Sequence, residues 1–365
     1  MSDSASSPLR IVSIGGGNGL STLLRGLKRY TLAYPNALDI TAVVTVTDDG
    51  GSSGRLRRDF DVLPPGDIRN CMVALSSDET LLARLFEYRF PGGRGLKGHS
   101  FGNLFLTAMT HLTGDFSQAV KLSSEVLAVH GRIFPSTAAN VRLRAHLADG
   151  RTVDGETRIS RSTSRIDRIE LAPRRARPLR ETLEAIAQAD LITLGPGSLF
   201  TSVIPNLLVD GIPQAIAASP ALKAYFVNLM SQPGETTGLH ASDHLAALLA
   251  HCGRGARQRR TGPRAPGLID VCVINTRPIA GKALESYQAN AARPVENDIQ
   301  TLETMGVKIL GEDLLRMAAR RPTDGPAHRI RHDPGALGAV VVELALQARR
   351  NKSALLPRAA RRKSA

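Results

Sequence analysis

Apolar positions along the chain follow two alternating rhythms. Largely apolar runs at 9–14, 40–46, 191–194 and 268–274 have the length and texture of strands buried on both faces. Between them lie helical spacings such as Leu20, Leu23, Leu24 and Leu27. Further strand-type runs are expected at 214–217 and 225–230, and a last helix at 336–348. Strands alternating with helices predict an α/β fold with a doubly wound, mostly parallel sheet. One stretch departs from this rhythm. Residues 141–147 alternate apolar and polar, Asp149-Gly150 is a favoured hairpin turn, and 152–159 and 166–171 read as further strands, so a small antiparallel insertion is expected at about 139–172. The expected organisation is a disordered leader at 1–8 and a single domain over 9–348. An exposed basic loop at about 253–267 and a basic disordered tail at 349–365 complete it.

Composition narrows the class. The chain has 365 residues, 42% of them hydrophobic, which supports a sizeable core and excludes a disordered chain. The formal net charge is +14, of which the tail from Arg349 carries +7 and five arginines between Arg254 and Arg264 carry +5. The rest is nearly neutral. With 9 Phe, 5 Tyr and no Trp there are few stacking platforms for single strands, so no specific nucleic acid is expected, and an adaptor that uses the tail is the least favoured reading. Apolar runs such as 336–342 are too short to span a bilayer, and the first residues lack the basic and apolar regions of a signal peptide; no transmembrane segment and a cytoplasmic location are expected. Cys71, Cys252 and Cys272 stand singly, as small buried residues do.

The candidate chemistry sits in polar loops that open helices. Gly15, Gly16, Gly17, Asn18 and Gly19 follow the first strand, where free N–H groups at a helix N-terminus favour a phosphate; a tight packing turn is the competing reading, since Leu20 breaks a GxGxxG and no Walker lysine exists. Asp48 and Asp49 end the second strand and suit a divalent ion, a ribose hydroxyl or base catalysis, with Ser52, Ser53 and Arg55 following. Asp67 is expected as an N-cap, with Arg69 and Asn70 in the first turn of its helix and Arg69 offering a planar fork to phosphate. His99, Ser100 and Asn103 stand near the start of a helix from about Leu104. Gly195, Gly197 and Ser198 again join a strand to a helix, Ser198 serving as an N-cap or a phosphate contact rather than a nucleophile, because Leu199 stands where GxSxG needs glycine. Asn228 is expected inside the strand at 225–230. His240 and His244 lack the glutamate of a zinc HExxH motif.

Taken in order, the segments 14–20, 46–54, 64–70, 98–104, 194–200 with 205–208, and 228–235 with Asp243-His244 resemble the gluconeogenesis factor family, a branch of the superfamily that contains 2-phospho-L-lactate transferase. The resemblance covers about residues 9–345. It implies a Rossmann-like sheet with the binding site over its carboxyl edge. The transferase branch moves a phospholactyl-type group from a guanosine diphosphate donor to a deazaflavin with Mg2+. The gluconeogenesis factor branch is associated with growth on gluconeogenic carbon, cell shape, envelope synthesis and UDP-sugar binding. On this chain the resemblance implies that Gly15 to Gly19 hold a diphosphate, that Asp48 and Asp49 face a ribose or Mg2+, and that Asn206 and Asn228 line the pocket. Two positions depart from the family pattern: Leu239 replaces an aromatic residue, and Ser286-Tyr287-Gln288-Ala289-Asn290 replaces an Arg-Tyr-x-x-Glu motif. The expectation is a UDP-sugar-binding regulator, with an Mg2+-dependent transferase as the alternative and a homo-oligomer left open.

Overall fold

The computed structural model describes residues 7–77, 81–252, 267–316 and 330–362. The expected basic loop therefore lies outside the described residues, except for Gly267, as do the first six residues and the last three.

The main sheet has seven strands: β1 (Leu9–Gly15), β2 (Leu38–Val44), β3 (Arg132–Pro135), β7 (Leu191–Leu194), β8 (Leu222–Phe226), β9 (Val271–Asn275) and β10 (Lys308–Glu312). Their order is β10-β9-β8-β7-β1-β2-β3, and every pairing is parallel. The order reverses at β1, so the segments leaving β1 and β7 diverge and open a crevice at the carboxyl edge. The insertion is a three-stranded antiparallel sheet of β4 (Arg142–Leu147), β5 (Thr152–Asp154) and β6 (Ile166–Ala172), in the order β5-β4-β6. This is the doubly wound architecture with a small antiparallel insertion that the alternation of elements predicts.

Helix α1 (Gly17–Ala33) shows why the pattern works. Leu20, Leu23, Leu24 and Leu27 are fully buried, each contributing about 1.5–3 kcal/mol of apolar burial. The same helix packs against α3 (Gly66–Leu75) and the C-terminal helix Pro334–Arg362. At the second crossing Gly26 meets Gly338. A Cβ on Gly26 would stand 1.9 Å from the Pro334 carbonyl oxygen, so the two backbones touch. Cys71, Cys252 and Cys272 are buried and unbonded. No single described helix is long and apolar enough to cross a membrane.

Several expectations change on contact with the fold. The glycine stretch is not a separate loop: Gly15 ends β1, and Gly17 to Gly19 form the first turn of α1. Likewise α2 (Gly51–Phe60) begins inside the loop expected at 47–54. Residues 214–217 belong to the helix Ile212–Ala218, started by Gly211 at φ 93° and by Pro213, because so short a largely apolar run suits either element. The following strand ends at Phe226, so Asn228 lies beyond it rather than inside. In the insertion, Gly155 at φ 93° stops β5, and Glu156–Ile159 turns helical. Asp67 is not an N-cap; Pro65 holds that position, and Asp67 stands inside the first turn. Ser100 caps the helix Phe101–Thr113, accepting from the Asn103 N–H.

The last helix does not stop at 348, and the start of the basic tail is not disordered. Arg349 donates to Asp190 Oδ2 at 2.5 Å and to the carbonyls of Ser7 and Pro8, and Lys352 Nζ donates to the Ala189 carbonyl at 2.9 Å. The Arg10 N–H completes the set on Asp190 at 3.0 Å. Burial works to raise the Asp190 pKa, but this N–H and the two cations outweigh it and hold the carboxyl below its usual range.

The Gly26 crossing yields a stability prediction. Gly26→Ala forces the C-terminal helix away from α1 and should cost about 1–3 kcal/mol, read as a lower midpoint in urea with an unchanged slope. An unaltered midpoint would show that the crossing has room for a methyl group.

Candidate functional site

A cleft of about 710 Å³ opens at the carboxyl edge where β1 and β7 diverge. Its floor is the first turn of α1. Gly17 has φ 57°, a left-handed conformation that favours glycine, and a Cβ on Gly19 would stand 2.2 Å from the Pro196 carbonyl oxygen. Glycine here lets the helix start sit directly on the loop after β7. No side chain of the N-cap residue Gly16 closes this helix and no acid lies in its first turn. The Gly17 N–H goes to the Asp67 carboxylate reaching over from α3, and the rest of this first turn, Asn18 and Gly19, lines the cleft, the position at which helix starts bind anions.

Of the residues singled out from the sequence, Gly16, Gly17, Asn18, Gly19, Asp48, Asn70, Gly197, Ser198 and Asn228 line this cleft. Ser198 Oγ accepts from Gln232 Nε2 at 2.8 Å, which fixes the loop over the opening. A second set stands behind the wall. Ser52 Oγ bonds His99 Nδ1 at 2.9 Å, Ser53 Oγ accepts from the Gly66 N–H at 3.1 Å, and Arg69 donates to Asn103 Oδ1 at 2.9 Å and Asn70 Oδ1 at 2.6 Å. These five side chains, Ser52, Ser53, Arg69, His99 and Asn103, are buried and brace the helix starts rather than face the cavity. Burial and the Arg55 charge lower the His99 pKa, which keeps the ring neutral.

Asn206 does not line the cleft. It is fully buried and donates to the carbonyls of Gly15, Ser202 and Val203, clamping the end of β1 to the helical segment after β7. Gly195 is likewise a backbone position, at φ 73°, with its N–H on the Ile14 carbonyl. The adjacent carboxylates part company. Asp48 faces the cleft, whereas Asp49 Oδ1 accepts from Thr157 N and Oγ1 at 2.9 and 2.8 Å and so anchors the insertion. Glu235 makes a second tie, accepting from Ser160 Oγ at 2.9 Å and Thr201 Oγ1 at 3.1 Å.

The sequence reading missed the partners of Asp48. Asp67 and Glu156 line the same wall. Burial, then the Asp48 charge, pushes Asp67 up to about 7, although the Gly17 N–H pulls the other way. Burial and the neighbouring acids push Glu156 well above its usual range, and burial also raises Asp48. Among the described residues no group of three or more His, Cys, Asp or Glu is arranged to hold a metal by itself. A divalent ion at this wall would need ligand oxygens to complete its shell. The far side is apolar and cationic, with Tyr287, Ile330, Arg331 and His332, none of them signalled by local sequence. Asn290, from the departing motif, also lines the cleft, while Leu239 packs against the core instead.

With this geometry in place, the comparisons with known proteins become specific. The family model described as 2-phospho-L-lactate transferase CofD matches residues 11–315. The gluconeogenesis factor of Bacillus subtilis is 44% identical over 335 residues, covering 92% of this chain and 98% of that protein. The gluconeogenesis factor of Halalkalibacterium halodurans is 46% identical over 302 residues, covering 83% and 88%. The chain belongs to the gluconeogenesis factor family. Its fold agrees: a crystal structure of a UPF0052 family member from Bacillus halodurans superposes with a TM-score of 0.82 at 42% identity, covering 92% of this chain and 99% of the other. The family match runs from inside β1 to just past β10 and so spans the lining of the cleft except Ile330, Arg331 and His332.

The acidic wall predicts a pH dependence. Asp67 titrates near neutrality in the folded chain and near 4 when unfolded. The folded state therefore binds the extra proton between these values, and wild-type stability falls as pH rises from about 4 to about 8. Asp67→Asn keeps an acceptor for the Gly17 N–H and removes that part of the slope. Thermal melts should show the variant gaining on the wild type between about pH 5 and 8; parallel pH profiles would assign the slope to other groups.

Proposed function

We propose that the cleft binds a nucleotide sugar, a UDP-sugar in the first instance, and that the chain acts in the cytoplasm as a regulator of growth on gluconeogenic carbon and of envelope synthesis. The observation that carries this reading is the glycine-built start of α1, whose own residues supply no capping side chain, at the point where strand order reverses and facing Ser198 across the crevice. That arrangement suits a diphosphate. The volume is within the range of small-molecule sites, and Tyr287 and Ile330 give the far side an apolar surface for a ring. The names of the relatives support the physiological part.

Calorimetry with UDP-N-acetylglucosamine tests the reading. Binding below millimolar is expected, with Asn228→Ala weakening it about tenfold, the worth of roughly one hydrogen bond to a charged or polar group. Neither heat nor a thermal shift at millimolar ligand would overturn it.

The wall of Asp48, Asp67 and Glu156 favours a second reading, an Mg2+-dependent transfer of a phosphoryl-linked group from a nucleoside diphosphate donor. Asp48 would hold the ion together with phosphate oxygens, with Asp67 and Glu156 beside it, and the ion would supply charge neutralisation. The helix start and Ser198 would position the donor. Incubation with a lactyl-diphosphoguanosine donor, Mg2+ and a deazaflavin should then move the phospholactyl group to the acceptor hydroxyl, breaking the bond between the two phosphates, and release GMP. Release no faster than from an Asp48→Asn variant would remove this option.

A further inference from the structure

The cleft adjoins a smaller recess of about 310 Å³, and Thr22, Arg331 and His332 line both. The remaining walls of the recess include Arg25, Arg29 and Arg316. Thr22, Arg25 and Arg29 follow one face of α1, so Arg25 stands about 9 Å and Arg29 about 15 Å along the axis beyond Gly19. The basic face thus begins nearly two turns past the proposed diphosphate cradle.

These cations are poorly neutralised. Arg25 reaches Glu87 only at 3.8 Å, with both side chains about half exposed, a geometry worth little. Arg29, Arg316 and Arg331 make no ion pair among the described residues. The other charged groups in the recess have structural partners: Lys28 Nζ donates to the Ser76 carbonyl at 2.8 Å, and Asp333 Oδ1 accepts from the Ala336 N–H at 2.9 Å. His332 sits at the shared boundary. Its Nε2 is buried without a hydrogen-bond partner while the ring bonds the Val227 carbonyl.

The charges of the cleft are therefore polarised. Asp48, Asp67 and Glu156 occupy one wall and offer an anionic substituent no cation, whereas the arginine recess lies at another side of the same opening. A neutral sugar would leave these arginines unmatched. We propose that the preferred ligand is a nucleoside diphosphate sugar whose sugar carries a further anionic group, a carboxylate, and that Arg25, Arg29, Arg316 and Arg331 form its subsite. This rests on the nucleotide-sugar reading above and adds the chemical class of the sugar.

UDP-glucose and UDP-glucuronic acid differ only in a carboxylate at the sugar's terminal carbon, so calorimetry of the full chain with each isolates the subsite. At about 50 mM salt the uronate is expected to bind roughly tenfold more tightly, and the preference to shrink at about 500 mM, because exposed charges are screened. An Arg25→Gln/Arg29→Gln double variant should lose the preference and keep its affinity for UDP-glucose. Equal affinities with UDP-glucose binding intact would overturn the proposal and leave the nucleotide-sugar reading standing. A preference that survives in the double variant would also overturn it. Failure of both nucleotides to bind would remove both readings.

Discussion

The contact between the first turn of α1 and the loop after β7 is the constraint from which the cleft is built. Gly19 can approach the Pro196 carbonyl only because it has no Cβ, and this approach joins segments that leave adjacent parallel strands in opposite directions. Asn206 secures the same junction from below through the Gly15 carbonyl. Asp67 then reaches the α1 start from α3, where a Cβ on Gly16 would stand 2.7 Å from its carboxylate. The close helix–loop approach and the helix start lining the cleft are two consequences of one run of glycines.

Much of this is local and therefore legible in the sequence. A buried strand followed by glycines and a leucine-spaced helix is a signal contained within about twenty residues, so β1, α1 and the loop after β7 are readable without tertiary information. Short ambiguous runs are not. Residues 214–217 satisfy either period, and only Gly211 and Pro213 decide for a helix. The acidic wall was harder to foresee, since Glu156 follows a glycine whose φ breaks what reads as a continuous strand. Arg331 and His332 come from a different part of the chain from the glycines they face, and an antiparallel bridge from His332 to Leu315, just past β10, holds them there. Asp49 looked equivalent to Asp48 because adjacent residues share a local environment in sequence. Backbone direction separates them, sending one to the cavity and the other to Thr157.

Net charge was a poor guide to where charge acts. The tail contributes much of the +14, yet its first cations serve the fold by closing on Asp190. The cations that give the cleft its polarity are dispersed along α1 and the segments around Arg316 and Arg331, where no run of basic residues draws the eye. The acids opposite them are similarly scattered and acquire raised pKa values because burial and proximity act together. Function here depends on the direction of an internal field, which a sum over the chain cannot contain.

The clasp on Asp190 has a further consequence for the shape of the chain. Arg349 holds Ser7 and Pro8, just before β1, beside Asp190, just before β7. Pro8, just before β1, and Arg349, partway along the last helix, therefore meet at the amino edge of the sheet, about 20 Å of strand away from the cleft. A domain fused at either end would grow from the rear and leave the opening unobstructed.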